Sequence, residues 1–154
     1  MNIYTSYYGK AQYFNPDEFE FVQISNSIPK WWNTSIKPVT KFNLLVPDWN
    51  LVSDYKAGKV NETGYTNVYL KALEGKSDTI KEYLDKIIEK AKDKNIVFLC
   101  YEKDDFCHRH LAAMFMKEKY GLKITEFGKE QIKENNIDAS EHKEQYEQLS
   151  FFDR

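Results

Sequence analysis

The sequence predicts a single-domain, three-layer α/β fold of Rossmann-like type with a mostly parallel sheet. Three observations carry that expectation. The chain has 154 residues, the length of one domain with a substantial core. Its second half alternates helix, strand, helix and strand, the order that covers both faces of a parallel sheet. Residues 78–92 also place Ile80, Leu84, Ile87, Ile88 and Ala91 on one stripe at helical spacing.

The elements follow in order. Residues 3–8, rich in β-branched and aromatic side chains, read as a first strand stopped by Gly9. Residues 19–24 (Phe-Glu-Phe-Val-Gln-Ile) read as a second, stopped by Ser25-Asn26-Ser27 and Pro29. Residues 11–17 between them are too few for a full crossover helix, so a loop or one helical turn is expected. From Pro29 to Gly75 the pattern is irregular, and such a stretch in a small domain usually serves function. Short helices are expected over 49–57 and 65–73. The 78–92 helix is capped by Ser77 or Asp78. A strand over 95–100 follows, then a helix from about Phe106 to Tyr120 stopped by Gly121, a strand over 122–127 and a short helix over 129–135. The α/β domain is placed at 1–135, and 136–154 is a charged C-terminal extension.

Composition narrows the function classes. With 22 basic and 24 acidic residues the formal charge is −2, so no global basic field holds nucleic acid nonspecifically. The expectation is a cytoplasmic protein. The chain opens on a strand without a basic leader or apolar signal core, no apolar run approaches a bilayer span, and two cysteines make no disulfide scaffold at this size. No membrane partner and no cofactor are implied, and the oligomeric state is open. Aromatics make up 16% of the chain; some must pack the core, and exposed ones could stack on bases or rings.

Both cysteines and two of the three histidines fall between positions 100 and 110, which reads as a site. Ligands of open parallel sheets bind beyond the carboxyl ends of the strands, where Cys100, Glu102, Ser6, Tyr8 and Ser25 are expected. The following helix turns its N-terminus and the Arg109 fork toward that edge, a combination suited to phosphate or carboxylate. Cys107 at the helix start is a candidate nucleophile or a packing residue, and Cys100 reads as core. His108 and His110 cannot share a helical face. Zinc is disfavoured because the spacings are C-x6-C and H-x-H, so no metal is assigned. Glu102 is either a general base or nucleophile, or the structural partner of Arg109. Trp31 and Trp32 could wall a pocket.

Residues 3–8, then Ile24-Ser25 with Ile28-Pro29-Lys30-Trp31, then 99–103 with 106–111, resemble the family called domain of unknown function 488 (DUF488). The resemblance covers about residues 2–127, and cysteine–x–glutamate followed by cysteine–histidine–arginine is its most specific element. It implies a small cytoplasmic α/β protein and supplies no reaction. By motif match it singles out Cys100, Glu102, Cys107, His108 and Arg109, with Ser6 and Ser25 more weakly.

The C-terminal extension holds a second signal. Gln148-Leu149-Ser150-Phe151-Phe152 is similar to the peptide by which bacterial DNA polymerases and repair proteins dock on the sliding clamp. Gln148 would bond a groove edge, with Leu149, Phe151 and Phe152 as apolar anchors. The functional expectation is an enzyme that hydrolyses or transfers a nucleotide or nucleic-acid component, its phosphate held by Arg109. In it Glu102, His108 and Cys107 are the catalytic candidates. The alternative is a non-catalytic replication or repair accessory on the clamp. A cysteine-based redox or metal site is the third reading.

Overall fold

The structure is a computed structural model, and it describes residues 1–101, 103 and 106–128. Five strands, β1 (Ile3–Tyr7), β2 (Phe19–Gln23), β3 (Val39–Lys41), β4 (Asn95–Cys100) and β5 (Ile124–Glu126), form one sheet in the order β3-β2-β4-β1-β5. Every pairing is parallel. The central strand β4 is apolar from Ile96 to Cys100 and fully buried, as a strand covered on both faces must be. The expected α/β class, with its parallel sheet, is what the chain adopts.

Alternate strand residues feed two cores. Ile3, Val22, Ile24, Ile96, Phe98 and Ile124 face one of them. Against it pack α2 (Trp49–Lys56), α3 (Glu62–Glu74), α4 (Ser77–Ala91) and α5 (His108–Tyr120). The predicted stripe of α4 is buried through Ile80, Leu84, Ile87 and Ala91, with Ile88 half-buried at its margin. Burying each of the larger aliphatics stabilises by about 1.5–3 kcal/mol. Tyr4, Phe19, Phe21, Val97 and Leu99 face the second core. Among the described residues only the four-residue helix α1 (Tyr8–Ala11) lies there, and Phe14, Trp32 and Phe127 add to the cover.

Several boundaries differ from expectation for local reasons. Tyr8 begins α1 instead of ending β1. No side chain caps α4, since Lys76 occupies the cap position and Ser77 is already helical. The edge strand β3 escapes sequence reading because it has three residues and follows Pro38. Gly121 does end α5, with φ of 70°, a conformation that costs an L side chain. The expected helix over 129–135 and the 136–154 extension lie outside the described residues. Among the described residues no helix is long and apolar enough to cross a membrane.

The topology places a crevice. β1 and β4 are neighbours, with Tyr7 opposite Cys100. The chain leaving β1 turns into α1 over the second core, whereas α5, following β4, packs over the first. Adjacent strands whose connections depart to opposite faces form a topological switch point, where open α/β sheets bind ligands. Cys100 and Arg109 lie there.

Candidate functional site

The first-core side of the switch point is organised by Arg109, whose side chain is only 1% exposed. Its Nε and Nη2 donate to the two carboxylate oxygens of Glu126 at 3.1 and 3.0 Å. Nη2 also donates to the Lys103 carbonyl at 3.0 Å, and Nη1 to Cys100 Sγ at 3.0 Å. The guanidinium lies 5.8 Å from the centre of the Tyr7 ring. Thr5 Oγ1 donates to Glu126 Oε1 at 2.6 Å. The result is a polar lattice tying β1, β4, α5 and β5 together below the strand ends. A buried guanidinium needs this many acceptors, because an unmatched charge there is costly.

The fork expected to meet a ligand phosphate holds Glu126, and Arg109 is buried. Glu126 was missed by sequence reading, although it stands at the carboxyl end of an expected strand, where the same edge rule could have found it.

The sequence does not pair Cys100 with Cys107. The structure joins their sulfur atoms, with Cα atoms 7.6 Å apart and both side chains buried. Cys107 is the N-cap residue of α5, in extended conformation and with no side-chain hydrogen bond capping the helix. Cys100 Sγ therefore sits beside the Arg109 guanidinium, and Cys107 stands at the start of α5.

His108 is buried, and its Nε2–H donates to the Ile24 carbonyl. That carbonyl can only accept, so Nδ1 carries the lone pair, and it lies 3.9 Å from Cys107 Sγ. Burial, opposed by the Ile24 bond and aided by the Arg109 charge, lowers the His108 pKa to about 4. The imidazole is thus neutral at physiological pH, and its Nδ1 faces the Cys107 sulfur. Tyr69 packs edge-on against it at 5.8 Å, held by its own hydroxyl bond to the Leu45 carbonyl at 2.6 Å. Neither Tyr69 nor Leu45 is suggested by the motif. His110 is half-buried and points elsewhere on α5, as the two-residue spacing requires.

The other expected residues stand on the opposite face of the same edge. Ser25 Oγ donates to the Ser27 carbonyl at 2.7 Å, which leaves Tyr8 as donor in the 2.8 Å Tyr8–Ser25 bond. Burial is the main cause that pushes the Tyr8 pKa up to about 12, so this hydroxyl keeps its proton. Ser6 Oγ is buried with no partner among the described residues. Trp32 is buried edge-on to Tyr8 at 5.3 Å, so it packs the core, while Trp31 beside it is exposed. The candidates thus divide between two faces: Cys100, Cys107, His108 and Arg109 on one, Ser6, Tyr8 and Ser25 on the other. Glu102, and the tail residues Gln148, Leu149, Phe151 and Phe152, lie outside the described residues.

No protein-family model, curated protein or solved structure matches the chain.

Proposed function

We propose that the chain is a small α/β enzyme of the DUF488 type that hydrolyses or transfers a phosphate-bearing nucleotide or nucleic-acid component. In this reading the reduced Cys107 thiol is the nucleophile. One observation carries the proposal: Cys107 combines the N-cap position of α5, a neutral imidazole whose Nδ1 faces its sulfur, and a sulfur joined to Cys100 at the switch point. The order of groups is that of an activated nucleophile. The Ile24 carbonyl orients His108 through Nε2, and Nδ1 faces Cys107 Sγ. The reduced thiol would lose its proton to solvent, with Nδ1 orienting it and the α5 terminus stabilising the thiolate. Attack by that sulfur would form the sulfur–substrate bond as the bond to the leaving group breaks, the leaving group taking a proton from water; water or an acceptor would then displace the sulfur. Arg109 and Glu126 keep the strand end and helix start in register for that step.

The test is turnover by reduced protein against a panel of nucleoside mono-, di- and triphosphates and nucleosides, with products separated by chromatography. The expected result is turnover that Cys107→Ala abolishes while its unfolding transition stays cooperative. Absence of turnover across the panel, or full turnover by Cys107→Ala, would overturn the reading.

A second reading rests on the joined sulfurs of Cys100 and Cys107. A dithiol that closes reversibly would itself carry redox chemistry, exchanging with a thiol or disulfide substrate. Single-cysteine variants separate the two readings. Cys100→Ser leaves a thiol hydrolase or transferase active but ends dithiol exchange.

A further inference from the structure

A hydrolase or transferase of the kind proposed needs one thiol, yet the second sulfur has a charged partner of its own. Cys100 Sγ accepts from Arg109 Nη1 at 3.0 Å. That guanidinium is a fixed donor, because Nε and Nη2 are bound to both carboxylate oxygens of Glu126 and to the Lys103 carbonyl. Glu126 is steadied in turn by the Thr5 hydroxyl. The Tyr7 ring, from the residue opposite Cys100 on β1, lies 5.8 Å from the guanidinium. Cys107 has a different setting. It stands outside the sheet at the N-cap of α5, and its sulfur faces His108 Nδ1 at 3.9 Å. Of the two residues Cys107 alone reaches the surface, at 3% exposure against 0% for Cys100.

We infer that the pair is an exchange site for a low-molecular-weight thiol, which bonds to Cys107 Sγ while Cys100 Sγ departs toward Arg109. The inference rests on the second reading above, in which the joined sulfurs open and close, and it assigns a role to each sulfur. Charge favours this polarity. The electron pair released when the bond breaks arrives on a sulfur that already accepts from a buried cation, which makes Cys100 the better leaving group. Access favours it too, since only Cys107 shows surface to an incoming group. With both sulfurs this deeply set, a slender thiol reaches them more readily than a cysteine on a folded partner.

The steps balance. The thiol enters as thiolate, its proton lost to solvent, and bonds to Cys107 Sγ as the Cys107–Cys100 bond breaks and its electron pair passes to Cys100 Sγ. A second thiolate attacks the first thiol's sulfur in this mixed disulfide, forming the small disulfide and releasing Cys107 as thiolate. Both cysteine sulfurs then take protons from water. Two thiols are oxidised and one protein disulfide is reduced. Run in reverse, Cys107 attacks a small disulfide and Cys100 resolves the adduct.

The experiment mixes reduced wild type, Cys100→Ser and Cys107→Ser with glutathione disulfide and follows adducts by intact mass. Cys100→Ser should take up glutathione roughly ten-fold faster than Cys107→Ser and keep it. The wild type should release the glutathione again and end with its sulfurs joined. Arg109→Met combined with Glu126→Leu should slow opening of the oxidised pair by glutathione roughly ten-fold, since it removes a charge-assisted bond to the leaving sulfur. The same double change placed in Cys100→Ser should leave uptake by Cys107 unchanged, a split that a merely structural role would not give. If the double variant does not fold, the two single-cysteine rates still decide. Equal uptake by the two single-cysteine variants, faster uptake by Cys107→Ser, equal slowing in both backgrounds, or no uptake by folded protein overturns the inference. Exchange without turnover of any nucleotide keeps this site and rejects the hydrolase or transferase. Nucleotide turnover without exchange keeps that enzyme and overturns the inference.

Discussion

Replacing Glu126 by Gln should cost this fold more than any change to its surface charges. The substitution keeps size and shape but removes the negative charge that both Nε and Nη2 of Arg109 address. Arg109 is 1% exposed and the Glu126 side chain 12%, so solvent cannot replace the lost charge. Breaking one side of a buried pair typically costs about 3–5 kcal/mol. The Lys103 carbonyl and Cys100 Sγ still accept from Arg109, which places the expected loss near the lower end, about 3 kcal/mol. Thr5 adds to it, because its hydroxyl bonds the same carboxylate. Against a typical total of about 5–15 kcal/mol this is a large fraction. Urea unfolding at pH 7 measures it directly: at an m-value of about 2 kcal/mol/M the midpoint should fall by roughly 1.5 M. A double replacement, Arg109→Met with Glu126→Leu, should recover most of the loss, since apolar pairs of similar volume substitute well for buried ion pairs. A loss for Glu126→Gln below about 1 kcal/mol, the range of exposed pairs, would refute the buried lattice.

Three further outcomes are expected. His108 has its folded pKa lowered to about 4, below the unfolded value of 6.5, so the fold favours the neutral ring. Both states are neutral above 6.5; as pH falls from there to 4 the unfolded chain takes up the proton first, and stability is lost at about 1.4 kcal/mol per unit. The fall in stability from pH 7 to 4.5 should therefore be about 2–3 kcal/mol smaller in His108→Asn than in the wild type; equal falls would reject the buried neutral imidazole. Gly121→Ala, with φ of 70° and open space around the new methyl, should cost about 1 kcal/mol by backbone strain alone, read from urea midpoints. Oxidation that closes Cys100–Cys107 should abolish nucleotide turnover, and reductant should restore it; thiol counting alongside the activity assay checks this, and full activity without free thiols would contradict it.

The parallel sheet was legible because periodicity and alternation are imposed by burial, and burial decides this fold. The α4 stripe and the β4 run appear in the sequence as they do in space. What escaped depended on short elements and distant partners. β3 is three residues at an edge, too brief for any period. The motif around Cys107 announced a site, but among the described residues a carboxylate partner of Arg109 comes from another strand, Glu126, and nothing in the spacing points to it. His108 looked like an acid–base group free to titrate; only the fold brings Ile24 and Tyr69 against it. Tyr8 and Ser25 were placed at the correct edge, yet strand alternation puts them on the face away from Arg109.

Alkylation of the reduced, folded protein by iodoacetamide, followed by intact mass and peptide mapping, addresses the reactive thiol most directly. At neutral pH Cys107 should be modified first and faster than an unperturbed thiol, and AMP should slow that reaction. Two cysteines that stay unmodified until the chain is unfolded would contradict a nucleophile at the switch point.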